Sequence, residues 1–491
     1  MKRFNRFLGL AISLLLATAA TGTTAEPGAS YQVTINDDNH RVAIVTAALE
    51  PTDKRFYMFP GANEFPARWA TFVSEFAVYD ETGSALSVSA AEDGTWTLSS
   101  LPEGPVTIRY QVNLDHESHE WSAGIDGAAY ARDWGVFYTA RSLFVANGDQ
   151  RTNIHIDFQL PESWRITVPW QELDNGMRYV VPDHEALANS ILFAGLHEEV
   201  LIDHGSFSLL LALGGDSVAA QREDFVEMAT GVLDYYTGLM GDLPRIGSPH
   251  NKTRSVVVIS EGTTTDGEAI GNHISMLLQP DGDPMSHMIS RLLFAHEFFH
   301  LWNGKSFAPG GLNAEWFKEG FSNYYTLKAM HHVGVLNDES FLGVLSGVFY
   351  QRYESDPAVG HRSITEGELK HSNWGLIYSG GLLVAIAQDL QIRTSSGNAR
   401  NLDDLMRHMF DQYSDENYDL ADIERELSRL NDQSQADFFR RYIHGTEKIP
   451  LEQFLALAGI DVGRSDGNTV FTVGNNEDPE VADIRRGFFG D

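Results

Sequence analysis

The 491-residue chain contains no cysteine. It can therefore form neither disulfide bonds nor thiolate metal sites, and it cannot carry a cysteine-linked lipid. A chain without these cross-links depends on its hydrophobic core for stability. Its composition, 43% hydrophobic and 11% aromatic, supports such a core, and its length is enough for two or three domains.

Basic residues are scarce. The chain has 35 lysines and arginines against 68 aspartates and glutamates, which gives a formal charge of −33. A field of this sign repels nucleic acid and anionic membrane surfaces. We therefore expect neither of them as a partner.

Long apolar runs are also scarce. The clearest one, residues 7–17, follows basic residues at positions 2, 3 and 6 and precedes a stretch of small residues. It is too short to span a membrane comfortably and has the layout of a secretory signal peptide, which we assign to residues 1–25. We see no later run long enough for a span. These features predict a periplasmic or secreted bacterial protein without stable membrane insertion, with an uncleaved anchor as the alternative.

The remaining chain divides by its pattern. Residues 26–170 contain short runs of period two, such as 31–35, 106–110 and 164–168, separated by turn signals, and they predict a β-sandwich-like domain. Residues 171–460 begin as a mixed region with a strand at 255–259 and become mainly helical. Residues 461–491 form a polar tail with one strand candidate at 470–473. The predicted fold class is multidomain α+β.

The mainly helical region carries the sequence His296-Glu297-Phe298-Phe299-His300. Two histidines four residues apart lie on one face of a helix, so both rings can reach a single cation. Glu297 lies between them and can act as a general base on water without binding the metal. Asp283 and Pro284 predict where this helix begins, and Asn303-Gly304 predicts where it ends. By itself, the pentapeptide could also arise by chance in an aromatic core helix.

A third ligand candidate, Glu319, follows His300 after 18 intervening residues, enough for a loop and a return helix. We predict that this second helix begins near Asn313 and that Gly320 lets another backbone approach closely beside the ligand. Two imidazoles and a carboxylate are a typical ligand set for catalytic Zn²⁺. The sequence therefore predicts a zinc site formed by His296, His300 and Glu319.

Residues 296–303 and 316–325 together resemble the glycyl aminopeptidase family of zinc peptidases, which belongs with thermolysin and the aminopeptidase N type to the gluzincin group. Residues 96–98, 129–132 and 437–446 resemble other parts of that family. The resemblance implies a thermolysin-like, mainly helical catalytic domain after the β domain. It also implies that His296, His300 and Glu319 bind zinc, and that Glu297 is the general base in the hydrolysis of peptide or protein substrates.

The resemblance extends to three further positions. Tyr378 lies in a segment where relatives have a tyrosine that stabilises the tetrahedral intermediate. Asn323 lies where the thermolysin type has a carboxylate that orients a zinc ligand. Relatives also carry a glutamate that binds the free amine of the substrate; here Asn272 takes its place unless Glu268 substitutes for it.

Two departures from the family keep alternatives open. The changed amine-binding segment leaves open a zinc endopeptidase instead of an aminopeptidase that favours small N-terminal residues. Together with Gly380, where relatives have a lysine, it also leaves open a non-catalytic binding protein that retains the zinc site. The family usually ends with a PDZ domain, and none is evident in the short tail of this chain.

Overall fold

The computed structural model describes residues 28–121, 127–148, 151–174, 176–246, 253–279, 284–476 and 478–490. Its first domain is built from three sheets. The largest sheet has eight strands, in spatial order Gln171–Asp174, Arg178–Asp183, Thr152–Gln159, Ala29–Asn36, Asn39–Leu49, Val106–Asn113, Val73–Tyr79 and Ala85–Leu86. One four-stranded sheet has the spatial order Arg165–Thr167, Ile191–Gly195, Gly135–Thr139 and Tyr130–Arg132. The other has the spatial order Val145–Asn147, Arg55–Met58, Trp96–Leu98 and Val88–Ala90.

The three sheets share one hydrophobic core, to which the large sheet contributes every second side chain. In Ala29–Asn36, for example, Tyr31, Val33 and Ile35 are buried while their neighbours are less so. This alternation confirms the predicted strands of period two and the β-rich first domain. The sheets also include strands that follow residue 170, the last of which is Ile191–Gly195. The first domain therefore extends past the expected boundary at residue 170.

A five-stranded mixed sheet begins the second region. Its spatial order is His197–His204, Phe207–Gly214, Thr253–Glu261, His273–Leu278 and Asp266–Ile270. The middle strand confirms the prediction at 255–259. Asp266–Ile270, which we call the edge strand, lies at the end of the sheet. One face of this sheet packs against the strands Tyr130–Arg132, Gly135–Thr139 and Ile191–Gly195 in a small shared core, which joins the two regions.

The rest of the second region is mainly helical, as the sequence predicts. Three helices form the functional site: the histidine helix (Pro284–Phe299), the Glu319 helix (Glu315–His332) and the Gly381 helix (Gly380–Ser396). Other α-helices are Arg222–Met240, Asp338–Val344, Gln351–Ser355, Leu402–Gln412, Leu420–Leu430, Leu451–Leu455 and Pro479–Phe489. π-Helical turns are Leu345–Tyr350, Gly375–Ser379 and Phe439–Ile443.

By length and composition, the helical segment Gly375–Ser396 is long and apolar enough to cross a membrane. From the sequence we expected no such segment after the N-terminus. In the fold, 89% of its most apolar window is buried. Its apolar character is therefore that of a central core helix, packed against the Glu319 helix.

The C-terminal tail is folded onto the helical region. The strand predicted at 470–473 belongs to a hairpin of Ile460–Ser465 and Asn468–Val473. The tail also forms the helix Pro479–Phe489, which the sequence reading missed although Asp478 caps it and Pro479 starts it. The ammonium of buried Lys328 donates hydrogen bonds to the carbonyls of Gly487 and Phe488, at 3.3 and 3.4 Å.

Candidate metal centre and active-site cleft

The histidine helix carries His296 in its last turn, and His300 directly follows its last residue. Its start agrees with the predicted Pro284, whereas Asp283 lies outside the described residues. The α-helix ends at Phe299, and the Asn303-Gly304 stop follows. The side chains of His296, Glu297 and His300 are all buried in the wall of one cleft, and each can place a donor atom within 4.8 Å of the others. The four-residue spacing thus brings both rings to one point.

The Glu319 helix starts at Glu315, after a short 3₁₀ turn at Leu312–Ala314 that contains the predicted cap Asn313. It crosses the Gly381 helix in direct backbone contact. A Cβ atom added to Gly320 would lie 2.2 Å from the carbonyl carbon of Gly381, which confirms the predicted close approach. The crossing places Glu319 opposite the two histidines.

Three donor atoms face one another at the centre of the cleft. The Nε2 atoms of His296 and His300 are 3.1 Å apart, and they lie 3.3 and 3.2 Å from Oε2 of Glu319. A tetrahedral zinc ion, with bonds of about 2.0–2.1 Å, separates its donors by about 3.3–3.4 Å. The three atoms therefore fit three corners of a zinc coordination shell.

The surroundings of the two rings support the same arrangement. Nδ1 of His300 donates to the carbonyl of Asn303 at 2.9 Å. This fixes the neutral tautomer in which Nε2 carries a lone pair toward the centre of the site. At His296, burial lowers the pKa, but interactions with Glu319, Glu297 and Asn323 outweigh it, and the pKa lies above its ordinary value. Nδ1 of His296 has no hydrogen-bond partner among the described residues, so a ligand-orienting role of Asn323 stays a prediction beside that of an ordinary asparagine.

The second oxygen of Glu319 faces lysines that the sequence reading did not single out. Oε1 lies 2.9 Å from Nζ of Lys370 and 3.3 Å from Nζ of Lys318, and each lysine also pairs with Glu315 at 2.8 Å. Burial raises the pKa of Glu319, but its interactions with His300 and His296 and the charge of Lys370 hold it well below its usual range. Glu319 is therefore an anion with one oxygen directed to the histidines.

Tyr378 lies in the π-helical turn Gly375–Ser379, directly before the Gly381 helix. Its ring stacks on Trp374 with centroids 5.0 Å apart, and its centroid is 6.4 Å from the ring of His296. Burial raises the pKa of Tyr378 above its ordinary value, and nearby Glu319 raises it further. The phenol therefore stays protonated and can donate a hydrogen bond into the cleft.

The two alternatives for the amine-binding residue lie in different places. Glu268 belongs to the edge strand and lines the cleft, a cavity of about 520 Å³. Its carboxylate accepts a hydrogen bond from the backbone N–H of Gly127 in the first domain. Asn272 lies in the turn after that strand and faces a separate cavity beside Trp164 and Trp170. The structure brings Glu268, and not Asn272, to the cleft that contains the two histidines.

Several residues of the cleft wall carry no local sequence signal, because loops and short helices bring them to the site from distant positions. They are Lys305, Val348, Phe349, Arg352, Lys370, His371 and Trp374.

Two family models match this chain. Residues 30–195 match the model described as the Peptidase M61 N-terminal domain, and residues 290–382 match the model described as M61 glycyl aminopeptidase. The second match includes all the residues that the sequence assigns to zinc binding and catalysis. Among curated proteins, the comparison found no match.

Among solved structures, the fold is similar to the crystal structure of an aminopeptidase N family protein from Idiomarina loihiensis. The TM-score is 0.74 at 19% sequence identity, and the match covers 89% of this chain and 79% of that chain. At this identity, the similarity establishes the fold: a β-rich domain followed by a helical peptidase domain.

Proposed function

Because this chain belongs to the M61 glycyl aminopeptidase family of peptidases, we propose that it is a zinc-dependent aminopeptidase. We further propose that it favours substrates with small N-terminal residues. The observation that carries the zinc assignment is the arrangement of His296, His300 and Glu319. Their three donor atoms lie 3.1–3.3 Å apart, and the lone pair of His300 is directed at the same point.

Zinc held by these residues would supply Lewis-acid polarisation of the scissile carbonyl and of water. Glu297 is buried beside the two histidines, where its carboxylate takes the proton from the attacking water. It then passes that proton to the leaving amine. The phenol of Tyr378 donates a hydrogen bond to the oxygen that gains negative charge.

The edge strand supports binding of an extended peptide. In the part of the chain that the structure describes, Asp266–Ile270 pairs only with His273–Leu278, so its outer edge can pair with a peptide backbone. This strand borders the histidine helix, since a Cβ atom on Gly267 would lie 3.6 Å from Cγ of Glu297. Glu268, on the same strand, is our candidate for the carboxylate that binds the free amine.

We also propose export to the periplasm or the medium. The proposal depends on the layout of residues 1–25, which lie outside the described residues. N-terminal sequencing of the protein recovered from the periplasmic and culture fractions would test it. A new N-terminus after residue 19 or 25 supports the proposal, and an intact Met1 in the cytoplasm contradicts it.

The enzymatic proposal is tested with purified protein, its metal content and a peptide panel. We expect about one equivalent of zinc, loss of hydrolysis after chelation and recovery after Zn²⁺ is added back. Peptides with free N-terminal Gly or Ala should be cleaved, and their N-acetylated forms should resist. Strong cleavage of the blocked peptides would identify an endopeptidase, whereas bound zinc without hydrolysis of any peptide would indicate a binding protein.

A further inference from the structure

Arg352 is a cation on the wall of the active-site cleft, where it stacks on an aromatic ring. Its guanidinium carbon lies 4.5 Å from the centre of the Trp374 ring, and Trp374 in turn stacks on Tyr378. Across the described ranges, no carboxylate pairs with Arg352. The residue is exposed to solvent at the cleft wall, and partial desolvation of its guanidinium lowers its pKa. Trp374 thus links this side chain to the ring of the proposed catalytic tyrosine.

The other cations of the cleft wall have carboxylates close to them. Lys318 and Lys370 are ion-paired with Glu315 and Glu319. Lys305 forms no ion pair in the described ranges; burial and Lys318 lower its pKa, and the nearby carboxylates of Glu297 and Glu268 oppose that shift. In a protein with 68 acidic and 35 basic residues, an arginine in a functional cleft without a carboxylate neighbour is a site ready for an anionic ligand.

The cleft borders two separate side cavities. Glu268 and its strand line a small one that reaches Gly127 in the first domain. Arg352 lines a second one of about 320 Å³, together with Ile289, Val348 and Gln351. The two side cavities share no lining residue. The cleft wall therefore carries a carboxylate beside one side cavity and a guanidinium beside the other.

We propose that Arg352 binds a carboxylate of the peptide on the leaving-group side of the scissile bond, so that the enzyme selects short peptides or peptides with an acidic residue there. This inference depends on the proposed peptidase function. A guanidinium fork matches a carboxylate with two parallel hydrogen bonds. The carboxylate comes either from the C-terminus of a short peptide or from an acidic side chain.

The test compares kcat/KM for three substrates: Ala-Ala-Ala, its C-terminal amide and the amide of Ala-Asp-Ala. Wild type should prefer Ala-Ala-Ala over its amide by about 10- to 100-fold, as expected for a charge-assisted pair. In Arg352→Gln, the ratio of acid to amide should fall toward one, and Arg352→Lys should retain part of it. Recovery of the preference in the amide of Ala-Asp-Ala identifies the side-chain source, and its absence identifies the chain terminus.

The matched control is Arg440→Gln, because Arg440 is an exposed arginine that pairs with Asp437 at the surface. It should keep the wild-type ratio. Equal kcat/KM for acid and amide in wild type overturns the inference while the peptidase function stands. Absence of all cleavage instead contradicts the proposed function.

The affinity of the same peptides for the Zn²⁺-loaded Glu297→Gln variant, measured by titration calorimetry, tests the role of Arg352 independently of turnover. Tighter binding of the acid than of the amide, removed by the added Arg352→Gln substitution, supports it. Equal binding, or no binding, overturns it.

Discussion

At the scale of single residues, the site combines short-range spacing with contacts from distant parts of the chain. His296, Glu297 and His300 come from one helical turn, and Glu319 comes from the next long helix. Glu319 divides its two oxygens between the histidines and Lys370. Because Lys370 neutralises one oxygen, the other can serve as a single-oxygen ligand of fixed orientation.

The first prediction concerns the recognition of the substrate amine. In Glu268→Gln, kcat/KM for a peptide with a free N-terminal alanine should fall by about 10- to 100-fold, because the ammonium loses a charge-assisted partner. Hydrolysis rates of free and N-acetylated peptides measure the effect.

Asn272→Ala is the control for this prediction, because Asn272 faces a different cavity. It should behave like wild type. If Asn272→Ala lost discrimination between free and blocked peptides and Glu268→Gln kept it, the assignment of Glu268 would be wrong.

The sequence identified the residues that local spacing controls and left open those that tertiary contacts control. The histidine pair follows from helical geometry, and Glu319 follows from the length of the connection. The choice between Glu268 and Asn272 depended on the position of the edge strand beside the histidine helix. Lys370 and Arg352 were missed, because no periodic pattern marks a residue that reaches the cleft from a loop or a five-residue helix.

At the scale of elements, the crossing of the Glu319 and Gly381 helices depends on two glycines in backbone contact. Gly320→Ala would place a methyl group 2.2 Å from a carbonyl carbon of Gly381, so the helices must separate. We expect a loss of about 1–3 kcal/mol in the free energy of unfolding and weaker Zn²⁺ binding, because Glu319 moves with its helix. Urea denaturation and chelator competition measure the two effects.

Gly238→Ala is the matched control for this change. Gly238 lies on the exposed face of helix Arg222–Met240, and an added Cβ meets no atom within 4 Å. This variant should be more stable than wild type by about 0.5–1 kcal/mol, because alanine favours a helix more than glycine does. An equal effect of both substitutions would contradict the account of the crossing.

The first domain contains a histidine whose neutral form the fold requires. Nδ1 of His116 accepts a hydrogen bond from the backbone of Ala129 at 2.9 Å, and Nε2 donates to the carbonyl of Asn113 at 2.8 Å. Its ring stacks on Phe72 with centroids 3.7 Å apart. Burial lowers the pKa of His116 from 6.5 to about 4.

This lowered pKa makes the stability of the first domain depend on pH. The unfolded chain binds the proton more tightly than the folded chain, so the contribution is complete above pH 6.5 and falls as the pH falls toward 4. The expected loss is about 3 kcal/mol. Urea denaturation between pH 7.5 and pH 4 should show a smaller loss in His116→Gln, which cannot titrate.

The exposed His361 of the second region provides the control, since its substitution by glutamine changes the same residue type away from the core of the first domain. The pH dependence of His361→Gln should follow that of wild type. An unchanged slope in His116→Gln would show that His116 does not control the acid sensitivity of the domain.

Prediction from sequence was also uneven among the elements. The predicted strands with one buried face were confirmed, because apolar and polar residues alternate along them as buried and exposed side chains do. The helix Pro479–Phe489 was missed because the polar composition of the tail outweighed the start signal of Asp478 and Pro479. Buried Lys328, whose ammonium donates to the end of this helix, gave no such signal in the sequence.

At the scale of the whole molecule, the first domain is part of the active-site architecture. A shared core joins it to the five-stranded sheet, and the backbone of Gly127 donates a hydrogen bond to Glu268 at the cleft. The first domain therefore supports the strand that we assign to substrate binding. The family matches in both regions agree with a single functional unit.

The central claim is that Glu297 activates water at a zinc ion held by His296, His300 and Glu319. The most direct measurement is the turnover and zinc content of Glu297→Gln beside wild type, with exposed Glu339→Gln as the control. We predict that Glu297→Gln keeps about one equivalent of zinc and loses at least about 1000-fold in kcat, while Glu339→Gln matches wild type. Substantial turnover by zinc-loaded Glu297→Gln would contradict the account.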